Sequence, residues 1–247
     1  MSLTTTTYSA RLFPARSQAA TGLPWRFWST LGWVVLAFAA MPRVCSSCLT
    51  ASNAYLQLDP AILGHLGRTI PLAGATIFIV LVAHWRGPSA HAYLGLVWPR
   101  WHHVIISVAV FAAFRLGLEA LFSSLSGSHT SAESIGAYRA IMGDPVALAF
   151  YWINLVVKAP VTEEIISRGF LQRGWSESRI GTGGAIFLST LAFALAHLQY
   201  DLLRIAVVFV IGLVLSLIRW WTGSVLLTIL LHAGWNFTNC AQTALAA

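Results

Sequence analysis

The chain has 247 residues, 57% of them hydrophobic, 12% aromatic and only 9% charged, with a formal net charge of +7. A soluble domain carries roughly 25% charged residues, so a soluble domain is excluded, and the aromatic and apolar excess excludes disorder. The 15 basic residues outnumber 8 acidic ones without forming a lysine-rich run, which excludes a simple nucleic-acid binder.

What remains is an all-α polytopic transmembrane helical bundle. At about 20 apolar residues per span, the length supports six to eight spans, and seven apolar runs are visible. Residues 1–26 carry Arg11, Arg16 and Arg26 without an acid and are expected to be cytoplasmic. Residues 27–144 form an N-terminal set of transmembrane helices, and residues 145–247 a second unit that holds the candidate chemistry. The first run, 27–41, has Ala37-Phe38-Ala39 like a signal cleavage site. An uncleaved first span is preferred, because many spans follow. Cys45 and Cys48 then make a C-x-x-C, a redox pair or metal clip by function. Two small apolar residues near a helix end are the simpler account, since the second half of a metal site is lacking.

The next runs are about 70–85 and 104–122, separated by a loop with Arg86, Arg100 and four histidines from His84 to His103. A polar Ser/Gly segment leads to Gly143. The remaining runs start near Pro145 and cover about 180–198, 202–217 and 225–244. With the N-terminus inside, inner segments hold Arg11, Arg16, Arg26, Arg86, Arg100, Arg173, Arg179 and Arg219. Outer segments hold only Arg43, Arg68, Arg139 and Arg204, so the positive-inside rule favours this orientation.

Charges inside spans are functional candidates by default. Arg115 and Glu119 are four apart on one helix face, where an internal ion pair explains them and a supporting role at a site is the other reading. Asn154 and Lys158 also share a face, and Lys158 either snorkels or reaches a carboxylate. Then comes Lys158-Ala-Pro-Val-Thr-Glu163-Glu164-Ile-Ile-Ser-Arg168. Acids after a proline are an ordinary helix start. However, residues 145–160 make only about 24 Å of helix, too short to cross alone, and apolar residues continue to Leu171. Pro160 is therefore expected to kink a continuous span, which places both glutamates at membrane depth. Adjacent helical residues diverge by about 100°. Glu164 pairs with Arg168 at i+4, whereas Glu163 points elsewhere without a local cation and suits a general base. His197 closes Phe193-Ala-Leu-Ala-His197, and His232 opens His232-Ala-Gly-Trp-Asn236. Counted from the nearest turns, all lie roughly 16–30 Å along their helices.

Glu-Glu-x-x-x-Arg, Phe-x-x-x-His and His-x-x-x-Asn, in that order on apolar helices over about residues 145–245, resemble the CPBP family. These are the CAAX proteases and bacteriocin-processing enzymes, also called Abi or glutamic intramembrane proteases. The resemblance implies that Glu163 is the catalytic carboxylate and that His197 helps it activate water. It assigns His232 and Asn236 to the oxyanion, and Glu164, Arg168 and Phe193 to supporting positions. It implies no cofactor, a membrane-associated protein or peptide substrate, the lipid bilayer as surroundings, and a multi-pass protein of the bacterial inner membrane.

Peptide hydrolysis needs a base for water, donors for the oxyanion and a proton for the leaving amine, and these residue types supply all three. No Gly-x-Ser-x-Gly nucleophile elbow is present. Two other readings use the same residues. Two histidines and a glutamate can hold zinc as in a metalloprotease, although H-E-x-x-H is lacking. A non-catalytic binding or immunity protein, or a transporter, can use such a polar core as a proton relay.

Overall fold

In a computed structural model the structure describes residues 27–86, 89–126 and 132–247, so the readings of the basic segment 1–26 lie outside the described residues. The described residues contain no strand. The helices are α1 (Phe27–Leu56), α2 (Pro60–Arg86), α3 (Ala90–Leu94), α4 (Trp101–Ser126), α5 (Ala132–Ile141), α6 (Pro145–Ser176), α7 (Gly181–Leu195), α8 (Leu202–Thr222) and α9 (Val225–Ala246).

All seven predicted runs are helical. Five of them, α1, α2, α4, α6 and α8, are long and apolar enough to cross a membrane, while α7 is a shorter apolar helix of 15 residues. The chain is an integral, multi-pass membrane protein. Helices α1 and α2 extend well beyond the apolar runs, meet at the short turn 57–59 and leave no additional span between them. Cys45 and Cys48 lie within α1 as free thiols. The segments around 90 and 132–141 were expected to be loop but form α3 and α5. For α3 the caps account for this: Ser89 accepts from the Ala92 amide at its start, and Gly95 ends it at φ +73°, a left-handed conformation suited to glycine.

One end of the bundle is cross-tied by contacts between helix termini. The Phe27 and Trp175 rings stack at 4.9 Å, joining the start of α1 to the end of α6. His103 and Trp221 rings meet at 4.7 Å, and the Val225 amide donates to the Gly95 carbonyl at 2.8 Å. Gly174 is needed on α6 because a Cβ there would lie 2.5 Å from the Thr30 hydroxyl on α1. At the opposite end, Arg139 of α5 donates to the Ala247 carbonyl, and the Tyr138 and Tyr151 rings pack at 5.5 Å.

Helix α6 runs through Pro160 without ending. The helix widens into a π-helical segment at Ile153–Lys158, returns to α at Ala159–Glu164, and widens again at Ile165–Leu171. Wide turns of this kind absorb the missing N–H and the bulk of a proline ring that would otherwise break the ladder.

Candidate active site

A cavity of about 490 Å3 lies among α4, α6, α8, α9 and the turn after α7. Glu163, His197, His232 and Asn236 all line it, although up to 73 positions separate them in sequence (236 − 163). Phe193 lines it as well, and Glu164 and Arg168 sit behind the wall.

The two glutamates differ as their helix geometry demands. The Glu164 side chain is fully buried, whereas that of Glu163 keeps 25% of its surface exposed, on the cavity side. Arg168 Nη1 donates to Glu164 Oε1 at 3.0 Å, the i,i+4 pair expected, and also to the Ser167 hydroxyl at 2.8 Å. Arg168 Nη2 reaches the Gly212 carbonyl of α8 at 2.8 Å. This approach requires glycine, since a Cβ at Gly212 would lie 2.9 Å from the Phe193 ring and 3.0 Å from Arg168 Nη2. The guanidinium also lies 4.2 Å from the centre of the Phe193 ring, a cation–π contact in a dry setting.

Glu164 has a second partner. Oε1 lies 3.0 Å from His232 Nδ1. A carboxylate paired with arginine is acceptor-only, so Nδ1 carries the proton. His232 Nε2 is then the atom presented to Glu163, 3.8 Å from its Oε2. His197 is oriented in the same way: its Nδ1 lies 2.9 Å from the Phe193 carbonyl, which can only accept, leaving Nε2 as the free acceptor. Its ring packs between Phe193 at 5.1 Å and Tyr200 at 5.8 Å.

Asn236 depends on the widened helix. In the π register, the Ala159 amide donates to the Asn154 carbonyl, five residues back. The same register would pair the Leu155 carbonyl with residue 160, a proline without an N–H. The orphaned carbonyl accepts instead from Asn236 Nδ2 at 2.8 Å. That bond uses one amide hydrogen and leaves the other for the cavity.

The polar surface extends further, through Asn239 and Gln242, which sequence reasoning missed. The Arg115–Glu119 pair is present at 2.6 Å, but it faces the same cavity. Arg115 donates to Asn239 at 3.0 Å and to Gln242 at 3.2 Å, Gln242 donates to Glu119 at 3.1 Å, and the guanidinium lies 4.6 Å over Trp235. The signal was available in retrospect, since Asn239 and Gln242 continue the Trp235–Asn236 face over the next two turns. Asn154 bonds Thr69 at 3.0 Å, away from the cavity, so it braces α2 against α6. Among the described residues, no group of three or more His, Cys, Asp or Glu side chains is arranged to hold a metal ion.

Neither a comparison with curated proteins nor one with solved structures gives a match. A comparison with family models does, and the matched stretch starts at the head of α6 and takes in Glu163, His197, His232 and Asn236. Residues 145–238 match the family described as "Type II CAAX prenyl endopeptidase Rce1-like", so this stretch of the chain is similar to that family.

Proposed function

We propose that the protein is an intramembrane endopeptidase that hydrolyses a peptide bond in a membrane-associated protein or peptide, using water activated by Glu163 and His197. The observation that carries this reading is the convergence of Glu163, His197, His232 and Asn236 on one polar cavity within an apolar bundle.

Water held between Glu163 and His197 loses a proton to this pair as its oxygen attacks the peptide carbonyl. The carbonyl oxygen becomes an oxyanion, met by the spare Asn236 N–H and by His232 Nε2 once that atom is protonated. The proton is at hand, because Nε2 faces Glu163. When the C–N bond breaks, a proton passes from the Glu163–His197–His232 group to the leaving amine. Glu164 and Arg168 touch no substrate in this scheme; they hold the His232 ring plane and proton position.

The matched family's description makes a lipidated C-terminal peptide the first substrate to assay; bacteriocin leaders and C-terminal sorting tails follow from the wider resemblance. We place the protein in a bacterial inner membrane with its N-terminus inside. The test is cleavage in liposomes by wild type, Glu163→Ala and His197→Ala. Loss of a general base is expected to cost roughly 10²–10⁴-fold in rate. Wild-type activity in either variant overturns the proposal. Inactivation by chelator, with stoichiometric zinc in the purified protein, replaces it with a metalloprotease. Binding of a partner by all three forms, with no cleavage by any, replaces it with a non-catalytic function.

A further inference from the structure

A second, much smaller cavity lies on the other side of Arg168, among α6, α7 and α8. Arg168, Gln172, Arg173, Ser176, Thr182, Arg219 and Trp220 line it, and its volume of about 10 Å3 leaves room for a single small occupant. Arg168 thus lines the small cavity while its Nη1 is turned to Glu164 and the proposed catalytic groups. Among the described residues, Arg168 Nε, Arg219 Nε and Gln172 Oε1 are fully buried with no hydrogen-bond partner.

The charges here do not cancel. Arg168 is paired with Glu164, and Arg173 with Glu177 at 2.8 Å. Arg219 is 5% exposed and forms no ion pair. No undescribed residue can supply one, because all 8 acidic residues of the chain are described. Its hydrogen bond to the Leu94 carbonyl is long, 3.5 Å. Arginine does not shed its proton, so three guanidinium groups against two carboxylates leave one positive charge in a buried site. Isolated buried charge is among the most costly features a protein can carry.

We propose that this cavity binds a single small monovalent anion, for which chloride serves as the probe, between the side chains of Arg168 and Arg219. One negative charge makes the cluster neutral and gives both orphaned donors an acceptor. A water molecule fills the same space and also satisfies Gln172 Oε1, but it leaves the charge uncancelled. The occupant lies directly behind the Arg168–Glu164–His232 chain, so it also sets how firmly that chain is held; this second consequence rests on the function proposed above, whereas the site itself does not.

The test uses the purified full-length protein in detergent, with thermal unfolding followed in sodium chloride and in sodium gluconate at equal ionic strength. Chloride is expected to raise the Tm of wild type by several degrees and to leave that of Arg219→Gln unmoved. Because Arg219→Gln can fail to fold, chloride-35 NMR is recorded on wild type alone. Saturable line broadening that bromide reverses is expected. Equal Tm in both salts, or no saturable broadening, overturns the proposal and assigns the cavity to water. Neither readout involves proteolysis, so this result stands apart from the outcome of the cleavage assay.

Discussion

Glu163 and Glu164 are chemically identical neighbours placed about 100° apart on one helix, and that rotation separates their tasks. One faces a polar cavity, and the other is sealed between an arginine and an imidazole. Glu164→Gln is expected to lose activity by releasing His232 from its Nδ1–H form, and to cost stability as well. Removing the acid leaves Arg168 charged and buried, a loss of about 3–5 kcal/mol. Nitrogen-15 NMR of labelled histidine checks the first effect: wild type should show His232 protonated at Nδ1, and a neutral Nε2–H form would refute the orientation argued from Glu164. The carboxylate pairing with Arg168 was legible from the i,i+4 spacing alone. The contact to His232 was not, because it joins α6 to α9 and depends on their packing.

At the scale of the helix, the proline at 160 and the asparagine at 236 act together. Pro160→Ala supplies a backbone N–H that can take the Leu155 carbonyl from Asn236. The variant should fold, since alanine is the better helix former, yet lose catalytic rate with little change in KM. A variant with full kcat would show that the carbonyl plays no part in placing Asn236. Gly212→Val tests the α6–α8 contact: its side chain must displace Phe193 or Arg168, at a cost of about 1–3 kcal/mol in unfolding free energy. A Tm equal to that of wild type would refute the close packing. The expectation of a continuous helix through Pro160 was sound because the apolar run outlasts the acids. The widened turns were beyond reach, since hydropathy carries no record of hydrogen-bond register.

Across the whole molecule, the seven apolar runs were visible because a membrane span needs a length and composition that few other structures share. The caps of α3 and the amphipathic α5 were hidden among polar residues. Exposed Trp28, Trp85, Trp98 and Trp101, at 67–75% exposure, gather at the end where α1 and α4 begin and α2 finishes. Such rings prefer the boundary between lipid and water. With the N-terminus inside, single cysteines at Arg100 or Arg179 in an otherwise cysteine-free chain should be labelled from the cytoplasmic face. Cysteines at Gln57 or Gly143 should be labelled from the opposite face, and the reverse pattern would invert the orientation.

Helix α7 stops after 15 residues, roughly 22 Å, short of the about 30 Å of a hydrocarbon layer. A turn over 196–199 follows, in which the Ala192 and Ala194 carbonyls accept from the Ala196 and His197 amides and the Phe193 carbonyl is met by His197 Nδ1. His197 sits in that turn, beside the large cavity. For the hydrolysis proposed above, a helix that ends short of the hydrocarbon layer shortens the path of water to this imidazole through the cavity it lines.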